Sequence, residues 1–193
     1  MAQGVIDVHS HIITSEFLTA LESEGRLMDE GFPLPKYDAE THLKWMDETG
    51  IETSVLTLAA PQPTSAKVIR STNQTAAKLK QQHPNRFLFC AALPLPDVYA
   101  AIREAIYVLD TLKADGIKLA TNVQGQYLGA PELDTLFSVL NERNAVVILH
   151  PPSSRAYEPP GNAADTARHA GISFRDHPCR HEHDQPQRAG SLS

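Results

Sequence analysis

Five short apolar runs, near residues 5, 53, 88, 117 and 147, recur along this chain with a helical pattern between them. Strand and helix in strict alternation predict an all-parallel α/β sheet, because a parallel pair needs a crossover long enough to hold a helix. Phe87-Leu88-Phe89-Cys90-Ala91-Ala92-Leu93 and Ala145-Val146-Val147-Ile148-Leu149 are continuously apolar, as expected of strands covered on both faces. Two architectures fit: a doubly wound open sheet and a (β/α)8 barrel.

The first run, Gly4 to Thr14, carries chemistry. Side chains alternate along a strand, so Asp7, His9 and His11 are expected on one face and Ile6, Val8, Ser10 and Ile12 on the other. Two imidazoles one residue apart can converge on one divalent ion, and a carboxylate two residues earlier can bind that ion or fix an imidazole tautomer. The competing reading is an ordinary strand with two partly exposed histidines, disfavoured by the cost of burying unpaired polar groups in an apolar setting.

The other chemistry-bearing residues separate the two architectures. His9, His11, Lys118 and His150 all fall toward the C-terminal ends of their strands, the face on which barrel enzymes assemble sites. A doubly wound sheet would more often show a glycine-rich first turn, and Ser10-His11-Ile12-Ile13 has none. His150 closes an aliphatic strand and needs a partner; the ion held by His9 and His11 supplies one. Lys118 is read as drawing a substrate carboxylate into the pocket, with an ordinary surface lysine as the alternative.

The helices have boundary signals. Ser15 is expected to cap a first helix that Gly25 stops; Asp38 caps a second that runs to Gly50, with Leu43, Trp45 and Met46 as its apolar contacts. A third occupies 64–83, with Val68, Ile69, Ala76 and Leu79 inward. A fourth follows Asp97, with Ile102, Ile106 and Leu109 inward, and a fifth spans 131–143 on Leu133, Leu136, Phe137 and Leu140. Between them, residues 26–37 form a loop of the kind that covers active sites, or a packed surface loop. His42 reads as helix packing, His83 as a loop residue, and Cys90 as a reduced core residue.

Composition removes other classes. With 41% apolar and 21% charged residues the chain reads as a soluble globular protein, without an apolar run long enough to span a membrane. A net charge of -6, with 17 scattered Lys and Arg, offers no basic patch for nucleic acid. The strand begins too early for a signal segment, so a cytoplasmic protein is expected.

Val-Ile-Asp-Val-His-Ser-His at the start, Gly-Ile-Lys-Leu-Ala-Thr at 116–121, Gln-Tyr-Leu-Gly before a helix and Val-Val-Ile-Leu-His-Pro-Pro at 146–152 together resemble the amidohydrolase superfamily. The likeness is closest to the amidohydrolase-related group containing aminocarboxymuconate-semialdehyde decarboxylase and gamma-resorcylate decarboxylase. It implies a distorted (β/α)8 TIM barrel with one divalent metal, usually Zn2+. His9 and His11 would be its first-strand ligands, His150 its fifth-strand ligand, and Asp7 a ligand or an orienting partner. Binuclear relatives place a carboxylated lysine near the position of Lys118, whereas the group resembled here is mononuclear. The resemblance further implies non-oxidative decarboxylation of a small aromatic or unsaturated carboxylic acid, and homodimers of full-length members. The alternatives are metal-dependent hydrolysis of a lactone, ester or amide, and a truncated product without catalysis.

The 193 residues fall short of the ~250 of a whole barrel. Residues 1–160 are therefore read as the first five or so β/α units. The group's proton-transfer histidine after its sixth barrel strand and the aspartate ending its eighth have no expected counterpart. Residues 161–193 hold four of the nine histidines and show no period of 2 or 3.6, so a disordered, non-homologous tail is expected there. A frameshift or mis-spliced exon is one hypothesis for it. Sequencing the transcript tests that idea, and a shifted frame without an open apolar reading would reject it. The cluster from His177 to His183 matches no closed zinc module.

Overall fold

The computed structural model describes residues 4–29, 32–123 and 126–150. In chain order the elements are β1 (Val5–Ile12), α1 (Ser15–Ser23), β2 (Met28–Asp29), β3 (Phe32–Pro33), α2 (Ala39–Thr49), β4 (Ile51–Leu58) and α3 (Ala66–Gln82). There follow β5 (Phe87–Ala92), α4 (Val98–Ile106), β6 (Gly116–Ala120), β7 (Asn122–Val123), β8 (Gln126–Tyr127), α5 (Asp134–Glu142) and β9 (Val147–His150). The expected tail, with the histidines near residue 180, lies outside the described residues.

The main sheet is parallel, in the order β1-β4-β5-β6-β9. Sequential neighbours all the way across argue for a barrel segment, since a doubly wound sheet reverses its order at a switch point. Curvature supports the same conclusion. Four inter-strand steps of about 4.8 Å would hold the backbones of β1 and β9 about 19 Å apart in a flat sheet, yet the rings of His9 on β1 and His150 on β9 have centroids 4.9 Å apart. The sheet is a curled part of a (β/α)8 barrel.

Phe87, Phe89, Leu56, Ile117 and Leu119 are buried with Met46, Ala101, Ala105, Val108, Leu136 and Leu140 from the helices. A smaller cluster joins Phe17 and Leu21 of α1 to Leu58 and Ile69. Gly116 permits the close approach of β6 to the chain entering β9, because a Cβ there would lie 2.7 Å from the Val146 carbonyl oxygen. Gly50 ends α2 at φ 73°, the left-handed stop the sequence predicts, and Asp38 caps the helix by accepting from Thr41 N–H.

Three local expectations are corrected. Thr14, not Ser15, caps α1: its hydroxyl accepts from Phe17 N–H, and Ser15 becomes the first helical residue. The inward face of α4 is Ala101, Ala105 and the following Val108, with Ile106 37% exposed. The two alanines are fully buried in the core, and the bulkier Ile102 and Leu109 pack against it partly buried. Trp45 is 46% exposed rather than a core contact, while its neighbour Met46 is fully buried. No helix among the described residues is long and apolar enough to cross a membrane.

Candidate metal centre

His9, His11 and His150 converge at the C-terminal end of the curled sheet, with one donor atom from each within 4.8 Å of the others. Their ring centroids stand 5.0, 4.9 and 5.4 Å apart in near-perpendicular pairs. Nε2 of His9 and Nε2 of His150 are 3.1 Å apart. Two nitrogens bound to a single ion at about 2.0–2.1 Å stand about 2.9–3.4 Å apart at common bond angles, so the pair is spaced for a shared cation.

A β-bulge shapes the array. Between Asp7 and Ser10 the pairing of β1 with β4 slips, three steps on β1 facing the two from Ser54 to Leu56. Asp7 Oδ1 accepts from His9 N–H at 2.9 Å and so fixes the slipped backbone. Asp7, His9 and His11 still border one cleft, as the alternation predicts. His9 and His11 reach the cluster of imidazoles, and Asp7 stands outside it, occupied with the main chain.

His11 is half-buried. Burial, then the charges of Lys118, His150 and His9, push its pKa down to about 4. At neutral pH its imidazole is uncharged, the state a metal requires. Its Nδ1 lies 2.9 Å from Thr57 Oγ1 on β4.

Lys118 is 4% exposed and donates from Nζ to the Leu58 carbonyl oxygen at 3.2 Å. The surface-lysine alternative is thereby corrected: β6 is covered on both faces, and the ammonium faces into the same strand ends as His11. Cys90 is buried and unbridged, as expected, and burial raises its thiol to about 11.

An open cleft of about 550 Å³ runs beside the imidazoles, lined by Asp7, His9, His11, Tyr37, His42 and Trp45 among others. The end of the 26–37 loop thus borders the site. His42 does pack, tilted against Phe87 and edge-on to Tyr37, yet it also lines this cleft. Its pKa is lowered by burial, against the pull of Asp7. The cleft residues Tyr37, His42 and Trp45 were not legible as such, because α2 approaches β1 only through the tertiary fold.

The amidohydrolase sequence profile matches residues 6–188. The chain belongs to the amidohydrolase family. Among curated relatives, this amidohydrolase is 41% identical over 163 residues to decarboxylase yanB of Aspergillus niger, covering 78% of this chain and 44% of that protein. It is 34% identical over 156 residues to 6-methylsalicylic acid decarboxylase acuB of Aspergillus aculeatus, covering 76% of this chain and 47% of that one. A crystal structure of dihydroxybenzoic acid decarboxylase from Polaromonas, with bound manganese and the inhibitor 2-nitroresorcinol, shares the fold. Its TM-score is 0.65 at 24% identity, over 89% of this chain and 54% of that one. The chain spans about half the length of the curated relatives it matches.

Proposed function

We propose that this amidohydrolase supplies the metal-holding part of a non-oxidative decarboxylase acting on a small aromatic acid with a hydroxyl beside the carboxylate. The observation that carries the proposal is the convergence of His9, His11 and His150 at the strand ends. The relatives named for decarboxylation of 6-methylsalicylic and dihydroxybenzoic acids support the substrate class.

His9, His11 and His150 would hold one divalent ion. An all-imidazole set suits Zn2+ by donor type, and the Polaromonas relative holds manganese. When bound, the ion supplies positive charge to anchor and polarise the oxygens of the acid. The protein's own groups do the rest of what is proposed here. Asp7 holds the bulge that presents His9. Lys118 adds a second positive charge at the strand ends, which favours entry of a carboxylate. The open cleft beside the imidazoles is of the size range that admits a single aromatic ring.

The test is product analysis on this chain joined to the remaining β/α units of a relative such as yanB, supplied with Zn2+ or Mn2+ and either 6-methylsalicylate or a dihydroxybenzoate. Equal amounts of carbon dioxide and the decarboxylated phenol are expected, with loss of both in His11→Ala. A ring-opened or hydrolysed product, or none from a chain that holds the ion, contradicts the proposal.

A further inference from the structure

We infer that Thr57 is a positioning residue that sets the tautomer of His11 and so decides which of its nitrogens is available to a metal. The inference rests on the proposed metal site for its purpose but not for its geometry.

Two hydrogen bonds at one hydroxyl carry it. Thr57 Oγ1 donates its proton to the Ser10 carbonyl oxygen at 3.0 Å, and the same oxygen lies 2.9 Å from His11 Nδ1. A hydroxyl has a single hydrogen. Directing that hydrogen to Ser10 leaves the oxygen to accept, and this is the arrangement we infer, with His11 Nδ1 carrying the proton. In a neutral imidazole the other nitrogen, Nε2, is then a bare lone pair. The polarity of the chain of bonds runs one way, from ring to hydroxyl to backbone.

The sheet enforces this. His11 on β1 and Thr57 on β4 are register partners, so the hydroxyl is delivered by strand pairing beyond the bulge and not by a movable loop. Thr57 is 3% exposed, which leaves little room for water to replace its hydroxyl. The neighbouring Ser10 is also buried, at 8% exposure, so its carbonyl is held in the same dry pocket. A metal-ligating imidazole gains fixed orientation and basicity when its other N–H donates to a held acceptor, the place the buried Thr57 hydroxyl takes here.

Thr57→Val keeps the shape and removes the hydroxyl, and Thr57→Ser keeps the hydroxyl and removes the methyl. Two readouts on the full chain separate the tautomer from the metal. In the metal-free protein, long-range nitrogen-15 correlation spectra report which ring nitrogen of His11 is protonated. Nδ1–H is expected in the original chain and in Thr57→Ser, and its loss in Thr57→Val. Competition titration with Mn2+ and Zn2+ should then show affinity about 10-fold or more weaker in Thr57→Val, within the 10–100-fold range for such partners, and within about 2-fold of the original in Thr57→Ser. Protonation of Nε2 in the original chain overturns the inference, as does unchanged tautomer and affinity in Thr57→Val. If no ion binds to the original chain, the metal site fails while the spectra still decide the role of Thr57. Where Thr57→Val does not fold, Nδ1–H in the original chain and in Thr57→Ser supports the inference, and Nε2–H in either rejects it.

Discussion

Two polar assemblies in this molecule, one buried and one open to the cleft, differ in a way that separates a scaffold from a site. Behind the sheet, Glu104 of α4 is 4% exposed and its charge is answered on every side: Arg70 of α3 meets Oε2 at 2.7 Å, and Asn73 Nδ2 donates to Oε1 at 3.0 Å. Asn73 also exchanges bonds in both directions with the main chain of Ala92. Opposite types meet, and the set locks α3 to β5 and α4. At the strand ends, three groups of the same type gather instead, and among the described residues no carboxylate completes their cluster. Like groups held together at some cost in protonation equilibrium are better explained by a ligand than by stability.

The comparison breaks most visibly at Glu104. Replacing it by Ala leaves the buried Asn73 amide short of one acceptor while the Arg70 guanidinium, 44% exposed, turns to water, so a loss of about 2–3 kcal/mol is expected. Denaturant unfolding of metal-free Glu104→Ala should show that loss, while molecules that remain folded bind metal as before. An unfolding free energy within about 1 kcal/mol of the original would mean that the network is not structural.

Acid sharpens the same contrast at smaller amplitude. The folded pKa of His11 is about 4 against an ordinary 6.5. Between those values the unfolded chain binds more protons than the folded one, so stability falls as pH drops through 6.5 and this contribution levels off below about 4. The full shift is worth about 3 kcal/mol by the usual conversion, and partial exposure of the ring reduces the expected loss to about 1–2 kcal/mol. Unfolding of the metal-free chain at pH 7 and pH 4.5 measures it. His11→Gln should flatten the difference, and an equal pH slope in that variant would place its origin elsewhere.

Much of this was legible from residue order. The parallel alternation, the helix stops and the gathering of His9, His11 and His150 all follow from patterns local to one segment or from strand ends facing one way. What was not legible depends on pairing between segments. The slip in the register of β1 on β4 between Asp7 and Ser10 is one such feature. No local pattern marks Thr57 either, since its hydroxyl matters only because His11 lies opposite. Lys118 is ambiguous in sequence, and its burial on β6 removes the surface reading. On α4, counting large residues pointed to Ile106, whereas the residues buried in the core are the small Ala101 and Ala105.

The central claim is that His9, His11 and His150 hold one divalent ion, and titration of Zn2+ or Mn2+ into the metal-free chain tests it most directly. The expected result is one ion per chain, with affinity weakened more than about 100-fold by His9→Ala, His11→Ala or His150→Ala, since each removes one of the three imidazoles that converge among the described residues. Binding that survives all three substitutions, or a folded chain that takes up no ion, would contradict it.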